Sequence, residues 1–297
     1  MSRYYTSKKI LLPMAGRKLA VYLFRPTKNR KPPAQTPGIL WIHGGGYVLG
    51  MAKMIYISRA FPLVKRYGGV VLTPEYRLAK QAPYPGALED CYAALKYLQA
   101  HAEQWGVNPA KLMVGGESAG GGLAAALCMY ARDKGEVNIA FQMPLCPMLD
   151  DRDTDSSRDN HGHVWNTKRN HWGWKAYLGK NYGKEVPPYA APARQTCYAG
   201  LPPAYTFVGD GEPFYCETLA YIRNLQQAGI PAKADVYHSS THAFDMLLPF
   251  RSISKQAARA FEQQYLYAAR HYAAPQPPLP QDGKAPWDGC FFARDSH

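Results

Sequence analysis

The sequence predicts an α/β fold with a mostly parallel central sheet flanked by helices and a small helical cap inserted late in the chain. Three observations carry this expectation. Short apolar runs rich in β-branched and aromatic residues alternate with longer runs of helical apolar spacing. One polar-then-aromatic segment of about fifty residues breaks that rhythm. A serine bracketed by glycines sits where a strand should give way to a helix.

In chain order, strands are expected at 18–24 (KLAVYLF), 38–43 (GILWIH), 68–74 (GGVVLTP) and 111–116 (KLMVGG), then at 137–146 (VNIAFQMPLC), 204–209 (AYTFVG) and 233–238 (KADVYH). Helices are expected at 87–105, 119–134, 217–229 and 254–272. Parallel strands need crossover connections, and helices in those positions cover both faces of the sheet. Residues 150–200 are too long for a simple connection and are read as an inserted helical cap. Residues 1–149 and 201–273 then form the core. Residues 274–297 are proline-rich and read as a loose tail. No internal repeat is found.

Composition excludes several classes. Hydrophobic residues at 46% and charged ones at 19% describe a globular chain rather than a disordered one. No apolar run approaches the ~20 residues of a membrane span, and MSRYYTSKKI is followed by no apolar core of a secretory signal. The six cysteines (Cys91, Cys128, Cys146, Cys197, Cys216, Cys290) lie scattered with no C-x-x-C pair. They read as reduced, mostly buried thiols of a cytoplasmic protein, without zinc spacing. The net charge of +13 raises nucleic acid as a partner, but the basic residues are dispersed. Their densest stretch, RPTKNRK at 25–31, reads as a surface loop, and no recognition motif accompanies it.

The chemistry starts at VGGESAG: Gly116, Glu117, Ser118, Ala119, Gly120. On a sharp strand-to-helix bend, neighbours two residues either side of the serine come too close for a Cβ, so glycine serves there. The bend lifts the hydroxyl off the sheet edge beside the first helix amides, where negative charge is favoured. A second element, His43-Gly44-Gly45-Gly46-Tyr47, follows a strand. Its glycines free backbone N–H groups to face a ligand, and Gly44, Gly45 and Ala119 are the expected oxyanion hole. A phosphate loop would need a different glycine pattern with a GK[ST] or G-x-G-x-x-G signature. His43 reads as structural.

A serine hydroxyl needs a base. His242, after the last expected strand, is the best placed of nine histidines, with His238 second. The orienting carboxylate should come from the turn after AYTFVG, which offers Asp210, Glu212 and Glu217. The aromatics Trp165, Trp172, Trp174 and Tyr177 either pack the cap or line a pocket, and packing is the simpler role. Tyr47 and Phe244 are further candidates for the pocket border, and Glu117 reads as a hydrogen-bonding partner.

With HGGGY, PEYRLA, PYPGALEDCYAAL, GGESAGGGLA, PPYAAPAR, LPPAYTFVGDGEPF and HAFDML in this order, the chain resembles the hormone-sensitive-lipase-like, HGGG-type carboxylesterases of the α/β-hydrolase fold over residues 18–272. The family's acid begins a D-P-[LF]-x-x-E segment, which here reads Glu212-Pro213-Phe214-Tyr215-Cys216-Glu217. The resemblance therefore assigns the acid to Glu212, a departure from the usual Asp, with Asp210 in reserve. Cys216 stands where the family often has Asp. The family's N-terminal cap is nearly missing here, which implies a more open site.

What the resemblance implies is a serine carboxylesterase with Ser118, His242 and Glu212 as its triad, acting on small esters without cofactor or metal; short acyl chains are expected because the sequence holds no strongly apolar lid or interfacial helix. An amide, formamide or lactone hydrolase is the nearest alternative, and a non-catalytic receptor on the same scaffold a more distant one. The expected partner is a small-molecule ester. No nucleic acid and no membrane are expected, and a homodimer stays open.

Overall fold

In the computed structural model, residues 4–27 and 36–277 are described; the basic stretch from residue 28 onward and residues 278–297, with Cys290, lie outside the described residues. Eight strands of the described residues form one sheet: β1 (Tyr5–Met14), β2 (Arg17–Pro26), β3 (Thr36–Ile42), β4 (Val70–Pro74), β5 (Val107–Glu117), β6 (Phe141–Leu145), β7 (Ala204–Gly209) and β8 (Ala232–Tyr237). Their spatial order is β1-β2-β4-β3-β5-β6-β7-β8. The β1–β2 and β2–β4 pairs are antiparallel, and the rest of the sheet is parallel.

Among the described residues, seven α-helices accompany it: α1 (Ala60–Tyr67), α2 (Gly86–Ala100), α3 (Ala119–Lys134), α4 (Thr167–Leu178), α5 (Tyr215–Gln227), α6 (Phe244–Leu247) and α7 (Ser252–His271). The pleat explains how one run of residues serves two cores. Leu40, Ile42, Leu72, Leu112 and Val114 pack with Leu95 of α2, Leu127 of α3 and Leu225 of α5. Their alternate neighbours Ile39, Trp41, Val71 and Met113 point the other way, against Leu63 of α1 and Phe261 of α7. Strands buried on both faces have no polar alternation, which is why they read as continuous apolar runs.

The seven expected strands and four expected helices are all present; 204–209 and 119–134 coincide with β7 and α3, and the others differ at their ends. The run at 137–146 is extended only over Phe141–Leu145, and the helix expected to reach 105 stops at Ala100 before a 3-10 turn at Glu103–Trp105. The hairpin strand β1 and the short helix α1 were not expected. Within 150–200 the longest element is α4, whose first turn is capped by Asn166 accepting from the Arg169 amide at 3.1 Å. At the chain's far end, Ala274 donates its amide to the Ala110 carbonyl at 2.7 Å, and Gln276 bonds the carbonyls of Pro109 and Asn138. The first residues of the expected tail are thus tied to the body.

The topology brings the C-terminal ends of β3, β5, β7 and β8 to one rim. Open parallel sheets collect ligands at that rim.

Candidate active site

Ser118 lies between the end of β5 and the start of α3, with φ 58° and ψ −123°, a conformation costly for a residue with a Cβ. What forces the bend is the closeness of β3. A Cβ on Gly116 would lie 2.4 Å from the Ile42 carbonyl oxygen, and one on Gly120 would lie 2.1 Å from the same atom. Hydrogen bonds hold the strained residue. Its amide donates to the Leu145 carbonyl at 2.9 Å, and its carbonyl accepts from the amides of Gly122 (2.9 Å) and Met148 (3.0 Å).

His242 follows β8 on a loop whose next residue, Ala243, also has a positive φ of 56°. Its Nε2 lies 2.8 Å from Ser118 Oγ. Its Nδ1 bonds Glu212 Oε2, while the other carboxylate oxygen accepts the Gly209 amide at 2.7 Å. A carboxylate accepts only, so Nδ1 carries the proton and Nε2 presents its lone pair to the serine hydroxyl. Phe214 stands edge-on to the imidazole at 4.9 Å. All three side chains are buried.

The second-choice base and acid occupy a different place. His238 Nδ1 and Asp210 Oδ2 pair with each other at 2.9 Å on the surface, and Asp210 also accepts the Ser239 amide. The hydrogen bond to His238 holds the Asp210 carboxyl below its usual range, and the same contact raises the imidazole. The structure brings together Ser118, His242 and Glu212, and leaves Asp210 and His238 outside.

The glycine loop lies against the serine. A Cβ on Gly44 would sit 3.2 Å from the Ser118 Cβ and 2.8 Å from the Glu117 carbonyl oxygen. Gly45 has φ 122°, and its carbonyl accepts the amides of Val48 and Leu49, which closes the loop. Among the described residues no protein acceptor takes the amides of Gly44, Gly45 or Ala119. His43 anchors this loop from below. Its ring stacks on Tyr76 at 4.2 Å, Nδ1 bonds the Gly44 carbonyl at 2.8 Å, and the Tyr76 hydroxyl donates to the His43 carbonyl. Burial lowers the imidazole to about 4, so it is neutral.

Residues 150–200 are tied to both loops. The Trp165 ring packs on Gly46, where a Cβ would meet it at 2.1 Å, and Ser156 Oγ donates to the Pro213 carbonyl at 2.8 Å in the acid loop. Trp174 and Tyr177 are fully buried; Tyr177 stacks on Tyr47 at 4.0 Å, and the Tyr47 hydroxyl donates to the Met148 carbonyl. Phe244 is buried against Phe207 and Tyr237. Of the aromatics weighed from sequence, only Trp172 is exposed.

For Glu117 the sequence suggested a hydrogen-bonding role but not its partners. Glu117 accepts from Trp41 Nε1 at 2.8 Å and from the Arg59 amide at 3.2 Å. Arg59 also pairs with Asp245 at 2.9 Å, three residues beyond His242. Burial, with the Asp245 charge second, pushes the Glu117 carboxyl up to about 8. These residues join the strand that ends at Ser118, the start of α1 and the segment after His242, and their sequence separations allow no local motif.

Comparison with known proteins adds the following. A family described as an alpha/beta hydrolase fold matches residues 39–246. The chain is 31% identical over 213 residues to esterase LipI of Mycobacterium tuberculosis, covering 71% of this chain and 66% of LipI. It is 28% identical over 232 residues to ethyl acetate hydrolase of Pseudomonas putida, covering 77% and 72%. Among solved structures, a bacterial heroin esterase superposes with TM-score 0.84 and 34% identity, over 90% of this chain and 85% of that one. The chain thus spans 66% of the length of LipI. No described helix is long and apolar enough to cross a membrane.

Proposed function

This chain belongs to the α/β-hydrolase family, in its hormone-sensitive-lipase-like, HGGG-type branch, and we propose that it is a serine carboxylesterase acting on small, short-acyl esters. The observation that carries the proposal is the chain of contacts from Glu212 through both nitrogens of His242 to Ser118 Oγ, the last 2.8 Å long. His242 Nε2 takes the hydroxyl proton as Ser118 attacks the ester carbonyl. The amides of Gly44, Gly45 and Ala119 receive the oxyanion. His242 then gives the proton to the leaving alcohol, and water repeats the sequence on the acyl-enzyme. Glu212 stays ionised, keeps the proton on Nδ1 and stabilises the imidazolium. Residues 1–149 and 201–273 act as the core, with 150–200 as the cap.

Short acyl chains are favoured by the likeness to an enzyme named for ethyl acetate. The packing of Trp165, Trp174 and Tyr177 agrees, because it spends the cap's large apolar side chains on the body instead of on a wide channel. Hydrolysis of 4-nitrophenyl esters from C2 to C12 tests the reading. Turnover should be highest at the short end, and Ser118→Ala should lower kcat by about 10³-fold or more. Undiminished turnover in that variant would remove Ser118 from the nucleophile role.

A further inference from the structure

Cys146 directly follows β6 and is not used by the reaction above. It is one of few non-glycine residues with a positive φ, 35°, and it is buried. Its amide donates to the Phe207 carbonyl at 3.0 Å, which turns the residue in toward the rim. There its sulfur meets the two side chains that face each other across the acid–imidazole bond. One donor atom each from Cys146, Glu212 and His242 lie within 4.8 Å of one another, and all three residues are buried.

We infer that Cys146, Glu212 and His242 form a latent site for a thiophilic divalent cation such as Zn²⁺, and that occupying it takes the imidazole away from Ser118. The donor set is one sulfur, one nitrogen and one oxygen, which suits zinc and disfavours magnesium or calcium. Zinc bond lengths with tetrahedral angles place such donors roughly 3.4–3.6 Å apart, so the widest gap must close by only about an ångström. Charge also balances. A thiolate and a carboxylate together neutralise a dication, which limits the cost of burying it. The Gly209 amide already fixes one Glu212 oxygen at 2.7 Å, as an outer hydrogen bond does in built metal sites. Coordination releases the thiol proton to solvent and, at the Nδ1 that faces Glu212, shifts the ring proton to Nε2; no atom is oxidised or reduced. With hydrogen on Nε2, His242 offers Ser118 no lone pair and no longer serves as the base.

The inhibitory part rests on the proposed esterase activity; the binding part does not. The experiment is therefore run in two arms on the full chain after treatment with EDTA. In the first, Co²⁺ is added and the thiolate-to-cobalt charge-transfer absorption is read. The band is expected in the wild type and in Ser118→Ala, and lost in Cys146→Ala. The remaining cysteines are still present in that variant and serve as its internal control. In the second, Zn²⁺ is titrated into 4-nitrophenyl acetate hydrolysis, each variant being compared with its own metal-free rate. The half-inhibitory concentration should rise about tenfold or more in Cys146→Ala, and EDTA should restore the wild-type rate. Cys146→Ser, whose hydroxyl is a poor zinc ligand, should behave in the same way if the alanine variant does not fold. A cobalt band that persists in both Cys146 variants, or that never forms in the wild type, overturns the site. Equal zinc sensitivity across the variants overturns the inhibition. If no ester is turned over at all, the cobalt arm still decides the site.

Discussion

Replacing Glu212 by Gln tests the orienting acid with almost no change in shape. Glu212 is fully buried and uses both carboxylate oxygens, one on His242 Nδ1 and one on the Gly209 amide. An amide side chain has only one oxygen. If that oxygen keeps the Gly209 amide, the NH₂ group faces Nδ1 and selects the tautomer whose lone pair is on Nδ1. Nε2 then carries hydrogen and no longer accepts the Ser118 proton. Charge is lost as well. A carboxylate about 4 Å from an imidazolium contributes roughly 4 kcal/mol at an effective dielectric of 20, and burial of both groups keeps water from screening it. At about 1.4 kcal/mol per decade that is a factor of ~10³, and the wrong tautomer carries the loss toward ~10⁴. The assay is kcat on 4-nitrophenyl acetate with near-UV circular dichroism as the folding control. Asp210→Asn, on the solvent side with its partner His238 exposed, should stay within about twofold of wild type. Glu212→Gln retaining more than about a tenth of the activity while correctly folded, or Asp210→Asn falling as far, would refute the assignment.

Two further outcomes follow from the supporting structure. Gly120→Ala places a Cβ 2.1 Å from the Ile42 carbonyl oxygen and 2.5 Å from that of His43, which are backbone atoms with nowhere to go. The variant should lose about 1–3 kcal/mol of stability, several degrees in thermal midpoint, and also kcat as the glycine loop shifts; an unchanged midpoint would contradict the close approach. Glu117, raised by burial from 4.5 to about 8, holds its proton in the folded state where the unfolded chain has lost it. Its stabilising contribution is therefore present below pH 4.5 and declines as pH rises to about 8, by at most ~1.4 kcal/mol per pH unit. Relative to Glu117→Gln, the wild type should lose thermal stability steadily from pH 5 to pH 8 in matched melts. A gap that stays constant or widens in favour of the wild type would mean that Glu117 is ionised throughout.

How far the sequence could be read depended on whether each residue's reason was local. Gly116 and Gly120 bracket Ser118 because the bend itself leaves no room, so the pattern reports the geometry directly. His242 was legible for a related reason: it follows a parallel strand whose apolar run is easy to recognise. The turn after the strand before it offered Asp210, Glu212 and Glu217 alike, and only the resemblance singled out Glu212. Strand β1 was missed because it is an edge strand with its outer side in water. Leu11 is half exposed while Leu12 is fully buried, and YTSKKILLPM therefore shows neither a continuous run nor clean alternation. The Glu117–Arg59–Asp245 network and the Cys146 cluster were illegible for a stronger reason. Arg59 is 58 residues from Glu117 and 186 from the Asp245 carbonyl that it also bonds. Cys146 meets the acid and the histidine only because β6, β7 and β8 lie side by side in the sheet. Spacing rules see metal sites built within one loop, where C-x-x-C brings sulfurs together along the chain. A sheet rim assembles ligands across strands instead. A cysteine there converts a proton relay into a set of metal donors without altering a single catalytic residue.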